Sequence, residues 1–387
     1  MSVDWGALVR APLRDLGPYV PGASASEAEA QYGIAHLERL NWNEGLFGPL
    51  PGVLEAAADG LGDAWKYPEE AYEELRHAVA GWLGVPHQQV LPGHGIQALV
   101  LTVLASFVSP GDRVVVPWPT YGLYAPACRA AGAVVERVDA VELDFDLARI
   151  AAVARGTDAR LVWICDPNNP TGAQLRPVDW AAFLDALPER CVVVVDEAYV
   201  DYVRPGDRTP RLDDVAAGRP VVVLRTFSKI FALAGLRLGY AIAHPELVPY
   251  LQSVQEPFNV NSAALAAGCA ALADPERVNE RREETIACRE MLVERLAAGG
   301  LRPLPSAANF VLVSLDGRDD LLVADRMARR GIMVRAGTEF QLPGHVRVTV
   351  APAPLMERAA GELIAACRVS AGSISRSSRH RSTACGT

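Results

Sequence analysis

Through the middle of the chain, short apolar runs alternate with longer segments of helical spacing, and each run ends at a polar or glycine-containing tip. Residues 160–165, 191–195 and 220–224 are apolar at nearly every position, the pattern of strands covered on both faces. Residues 113–116 predict a further strand, ending at Pro117. Helical segments lie between these runs, so the order predicts the α/β class, with a largely parallel central sheet flanked by helices. An apolar run of helical spacing at 99–108 follows Gly93-His-Gly95. Residues 50–84 are also helical in spacing, interrupted at Trp65-Lys-Tyr-Pro68, where Pro68 is placed to open the next helix.

Past Tyr240 the texture changes. Residues 263–296 predict one long helix, and 307–313, 331–335 and 345–350 predict three strands of a second, smaller α+β unit. The expected division is an arm and part of the small domain at 1–48, a large domain at 49–257, a small domain at 258–368 and a tail at 369–387. Residues 1 to 30, rich in Pro, Gly, Ala and acid, read as an arm with little structure of its own. The Ser/Arg-rich tail has too few apolar residues to fold and reads as disordered.

Composition narrows the function. The chain has 387 residues, enough for two cores, and a formal charge of −9, which disfavours nucleic acid as a partner. No run of 18 apolar residues offers a membrane span, and the amino terminus lacks a basic and then apolar leader, so a cytoplasmic protein is expected. Seven cysteines, at 128, 165, 191, 269, 288, 367 and 385, include no C-x-x-C pair. Reduced thiols are expected, and no metal centre.

Candidate chemistry collects at the predicted strand tips, the edge where open α/β sheets bind ligands. Lys229 sits among Phe227, Ile230, Phe231, Ala232 and Leu233, where desolvation would lower its pKa and free the amine to attack a carbonyl. Thr226, Ser228 and Arg237 offer what a phosphate dianion needs. Backbone amides after the glycines at Gly95, Ile96 and Gln97 would open a helix on an anion. Other tips carry Tyr121, Asn169, and Asp196 with Tyr199: an aromatic face, an amide, an acid and a phenol. Each has an ordinary use when taken singly. A lysine and an arginine snorkel, an asparagine makes turns, an acid caps a helix and a tyrosine such as Tyr67 packs. Together they are the parts a pyridoxal phosphate ring and phosphate require.

At that point the chain resembles the fold-type I pyridoxal-phosphate aminotransferases, and within them the histidinol-phosphate aminotransferase group. The matching stretches are Asn41-Trp-Asn-Glu44, Pro119-Thr-Tyr-Gly-Leu-Tyr124, Pro167-Asn-Asn-Pro-Thr-Gly172, Asp196-Glu-Ala-Tyr199, Arg225-Thr-Phe-Ser-Lys229 with Leu233-Ala-Gly-Leu-Arg237, Pro257-Phe-Asn-Val-Asn261, Ala308-Asn-Phe310 and Gly331-Ile-Met-Val-Arg335. The resemblance implies that Lys229 is the Schiff-base lysine and proton shuttle, that Asp196 holds the ring nitrogen, Asn169 and Tyr199 the ring oxygen, and Tyr121 the ring face. It implies phosphate binding by Thr226, Ser228, Arg237 and the amides near Gly95, Ile96 and Gln97. It further implies that Tyr67 crosses a homodimer interface to the partner's cofactor, and that Asn43, Arg335 and Arg347 meet the substrates, an amino donor and a 2-oxo acid acceptor. Three departures touch the substrate side: Ile96-Gln-Ala98 in the phosphate loop, Asn43-Glu-Gly-Leu46, and Val350-Ala-Pro-Ala-Pro354. A lyase, cyclase, decarboxylase or oxidase on the same fold is the alternative reaction, and a regulator that kept the fold a further one.

Overall fold

The computed structural model describes residues 3–14, 16–17, 25–69 and 71–368. The strands, in chain order, are β1 (Glu38–Arg39), β2 (Val90–Gly93), β3 (Arg113–Trp118), β4 (Val134–Asp139), β5 (Leu161–Cys165), β6 (Val192–Asp196), β7 (Val221–Thr226), β8 (Gly239–Ile242), β9 (Arg302–Pro303), β10 (Phe310–Ser314), β11 (Ile332–Met333), β12 (Arg335–Ala336) and β13 (His345–Thr349).

Seven of them form the large sheet, in the order β2-β8-β7-β6-β5-β3-β4. β3 to β7 run parallel, and β8 lies antiparallel to both of its neighbours. The central strands are apolar on both faces because both faces are covered. Val193 and Val195 pack into one hydrophobic cluster, while Val192 and Val194 pack into the other. Because β3, β5, β6 and β7 are parallel, their carboxyl ends share one edge, and that edge carries the site.

A smaller antiparallel sheet, β12-β13-β10-β9, lies beside this edge, and β1 pairs in parallel with β11. Its core is a third cluster that includes Leu40, Val311, Val313, Val346 and Val348.

Several expected boundaries move, each for a local reason. The strand expected at 331–335 is two strands in different sheets, one paired with β1 and one with β13. The long helix expected at 263–296 is Ser262–Leu272 and Pro275–Ala298. The break comes where Asp274 caps the second helix through Arg277 N and Pro275 lacks a donor. Pro68 does not open a helix; the helix Glu73–Leu83 starts after Tyr72, which is left-handed with φ 51°. β3 runs through Pro117 because its pairing with β5 has ended by Val115, so the missing N–H breaks no ladder bond there. The arm is more structured than expected. Trp5–Leu8 makes one helical turn, and Ala25–Tyr32 is a helix whose Ala28 packs with Leu37 and Met333. The tail expected at 369–387 lies outside the described residues.

Candidate active site

A cavity of about 740 Å3 opens at the carboxyl edge of the large sheet. It gathers Asn43, Ile96, Gln97, Tyr121, Asn169, Asp196, Tyr199, Thr226, Ser228, Lys229, Arg237, Arg335 and Arg347 from stretches up to three hundred residues apart. Gly95 sits just outside its wall, and Tyr67 lies apart from it, 81% exposed and stacked on Phe258 at 4.8 Å between ring centroids.

The sheet's register brings the acid and the lysine to one place. β6 ends on Asp196 and β7 on Thr226, so the turn after β7 carries Lys229 past the Asp196 tip. Phe227, Ile230, Phe231 and Leu233 are buried and anchor this turn in the core. Lys229 Nζ donates to the carbonyl of Asn43 at 2.8 Å and lies over the Tyr199 ring. Burial, with the nearby charges of Arg347 and Arg237, lowers its pKa to about 7 against the pull of Glu44 and Asp196.

Asp196 is buried among donors. Its Oδ2 accepts from the Tyr124 hydroxyl at 2.5 Å and its Oδ1 from Ala198 N at 3.0 Å. Burial nevertheless pushes its carboxyl up to about 6, with Tyr124, Ala198 N and Lys229 opposing the rise. A cation placed against it would relieve that burial.

Behind these tips runs a charged chain with almost no solvent exposure. Arg211 donates to Asp166 at 2.5 Å and to Glu197 at 3.0 Å, and Arg225 donates to Glu197 at 2.8 Å. Burial alone would raise the Glu197 carboxyl, but Arg225 and Arg211 hold it below the ordinary range. The chain fixes the neighbours of both Asp196 and Thr226.

At the other end of the cavity, the helix Gly95–Phe107 presents its amino terminus. Gly95 has φ 73°, and a Cβ there would stand 2.8 Å from Arg237 Nη2. The glycine therefore lets the guanidinium lie against the helix start. Thr226 Oγ1 accepts from Ser228 N at 3.0 Å, folding both hydroxyl residues into the same corner. This corner supplies free amides, hydroxyls and one cation, the donor set that binds a phosphate.

On the opposite wall, Asn43 is 1% exposed and left-handed, with φ 55°. Its N–H donates to Thr349 Oγ1, its Nδ2 donates to the Tyr199 hydroxyl at 3.2 Å, and its carbonyl also accepts from Asn309 Nδ2. Gly45 lets this segment cross the lysine turn, since a Cβ there would lie 2.3 Å from Lys229 O. Arg347 donates to Asn169 Oδ1 at 2.5 Å and to Asn41 O at 2.9 Å, and Arg335 lies directly across from it in the β12–β13 register. Gln97 spends its side chain on the Tyr121 hydroxyl, at 2.9 Å.

Sequence reasoning assigned no role to Tyr124, Glu44, Glu339 or Asn309. Tyr124 was open to discovery, because it lies one helical turn beyond Tyr121 at the same strand end. Asn309 stands within the matching stretch Ala308-Asn-Phe310, whereas Glu339 gives no such signal.

An amine of lowered pKa, a buried acid and an anion cradle line one cavity, a set of groups that fits a cofactor bearing a carbonyl and a phosphate. The sequence model of the family described as Aminotransferase class I and II matches residues 35–363, and the chain belongs to that family. It is 39% identical to a histidinol-phosphate aminotransferase of Symbiobacterium thermophilum over 346 residues, 88% of this chain and 94% of that one. It is 38% identical to the protein of the same name from an Anaeromyxobacter species, over 89% of this chain and 94% of the other. Among solved structures, the histidinol-phosphate aminotransferase of Sinorhizobium meliloti in complex with pyridoxal-5'-phosphate superposes with a TM-score of 0.85 at 30% identity, covering 93% of this chain and 97% of that one. The protein is a pyridoxal-phosphate-dependent aminotransferase of fold type I, near the histidinol-phosphate aminotransferase group. Among the described residues, no helix is long and apolar enough to cross a membrane.

Proposed function

We propose that Lys229 carries the cofactor of this chain and that the site moves an amino group from an amine donor to a 2-oxo acid held by Arg347 and Arg335. The observation that carries the reading is the Lys229 amine, brought down to about 7 and set in one cavity with Asp196 and the anion corner. When bound, pyridoxal phosphate supplies an electron sink next to the substrate's α-carbon.

The chain's own residues do the rest. Asp196, held by Tyr124 and Ala198 N, would hold the ring nitrogen and keep a proton on it. The Asn169 amide and the Tyr199 hydroxyl would serve the ring oxygen, and Tyr121 would supply an aromatic surface for the ring. Thr226, Ser228, Arg237 and the amides near Gly95, Ile96 and Gln97 hold the phosphate. Lys229 Nζ takes the α-proton of the donor and passes it on, which a pKa near neutrality permits in both directions. Arg347 binds the substrate carboxylate, and Asn43 frames it.

A homodimer with shared sites belongs to the same reading. Tyr67 is outside its own cavity, and Leu61, Trp65 and Phe258 lie exposed with it, an apolar face that suits a second copy. Sedimentation of the protein reads this directly, a monomer at micromolar concentration being the contrary result.

The test of the function is a single turnover of the reconstituted enzyme with glutamate. The cofactor's visible absorbance moves to the near ultraviolet as the nitrogen is transferred, and a 2-oxo acid restores it. Lys229→Ala abolishes turnover while binding cofactor without a borohydride-fixable bond. Normal turnover in that variant refutes the assignment.

A further inference from the structure

Arg335 and Arg347 both line the cavity and sit opposite each other across β12 and β13. Two guanidinium groups side by side suit a dianion such as a phosphate ester. One of them is not available on those terms. Arg335 Nε lies 3.2 Å from Glu339 Oε2, with Arg335 only 12% and Glu339 38% exposed. The contact is not aligned as a hydrogen bond, so it cancels charge and leaves acceptor positions of the carboxylate open to the cavity that Glu339 lines.

Glu339 is held there by its loop. Asp320 accepts from Thr338 N at 2.6 Å, from Thr338 Oγ1 at 3.0 Å and from Gly344 N at 3.0 Å. A Cβ at Gly337 would fall 2.0 Å from Leu342 O, so the turn closes only over glycine. Burial raises the Glu339 carboxyl, and Arg335 and Arg347 oppose that rise. The acid faces both arginines from a fixed position.

We propose that Glu339 is a specificity-determining residue that sorts amine donors by the charge of the group that reaches Arg335. It admits a group that offers a hydrogen-bond donor, neutral or cationic, and turns away a phosphate dianion. A dianion approaching Arg335 meets the Glu339 carboxylate, whereas an N–H group meets an open acceptor. The inference rests on the proposed use of Arg335 and Arg347 to hold substrate.

The test compares the holoenzyme with its Glu339→Gln variant in single turnovers of histidinol phosphate and of histidinol, two donors that differ only by the phosphate. The rate ratio of the phosphorylated to the free donor rises about tenfold or more in Glu339→Gln. In the double variant Arg335→Gln/Glu339→Gln that gain disappears, because it depends on a released Arg335. A ratio that moves less than about twofold, or falls, overturns the proposal. Calorimetric titration of both holoenzymes with inorganic phosphate decides the same point without turnover. Tighter binding in Glu339→Gln is expected, and equal affinity overturns the assignment. If phosphate affinities differ while neither protein converts any donor, the fault lies with the proposed aminotransfer and not with the charge sorting.

Discussion

Replacing Asp196 with Asn trades function for stability, and the trade depends on pH. In the cofactor-free protein the Asp196 carboxyl is raised from 3.8 to about 6, chiefly by burial. A raised folded-state pKa means that the acid's contribution to stability is fully present below 3.8 and is lost as pH rises through about 6. The shift of about two units corresponds to roughly 3 kcal/mol of buried-charge cost at pH 8. Asn removes that cost, in which the hydrogen bonds from Tyr124 and Ala198 N to the carboxylate are already counted. The cofactor-free variant is therefore more stable by about 3 kcal/mol at pH 8, and the advantage shrinks by about 2 kcal/mol at pH 4.5, where the folded wild-type acid is already protonated. Urea midpoints followed by tryptophan fluorescence at the two pH values measure this. With cofactor bound the order reverses in activity, with turnover falling by about a hundredfold or more as the ring nitrogen loses its partner. A variant less stable than wild type at pH 8, or equally shifted at both pH values, would refute the reasoning.

Two further outcomes follow from the same electrostatics. The rate at which cofactor-free protein takes up pyridoxal phosphate onto Lys229, trapped with borohydride and located by peptide mass, rises with pH through about 7 as the amine loses its proton. A rate that is flat from pH 6 to pH 9 contradicts the lowered pKa. Arg211→Leu leaves Asp166 uncompensated and Glu197 with Arg225 alone, which costs about 3–5 kcal/mol. A thermal midpoint unchanged from wild type would show that the buried charge chain has another support.

The site was legible where β-strand and helix alternate, because that alternation sends successive tips to one edge. Tyr121, Asn169, Asp196 and Lys229 could thus be grouped from spacing alone. Strands that lack a continuous apolar run were missed. β2 carries Pro92 and tolerates it on the sheet's edge, and β4 mixes Val with Glu136, Arg137 and Asp139 because it lies at the opposite edge. The 331–335 segment read as one strand because its composition is uniform, yet Val334 separates residues that pair with different partners. Side-chain couplings across the fold left no local trace. The Tyr124–Asp196 bond spans 72 residues and the Asn43–Thr349 bond 306, and no periodicity reports either. Glu339 reads in sequence as one acid in a turn; only the placing of its loop by Asp320 gives it a pocket to face.

The carbonyl of Asn43 is the berth of the Lys229 amine, and two residues earlier the carbonyl of Asn41 steadies Arg347. The Lys229 amine and the Arg347 guanidinium are thus tied to one three-residue stretch, itself pinned to β13 through Thr349. Lys229 is rooted in the large sheet, on the turn after β7, whereas Arg347 is a residue of β13. The stretch thus clasps the two sheets together at the cavity, and parting them breaks the Lys229–Asn43 bond while Arg347 keeps its hold on Asn41.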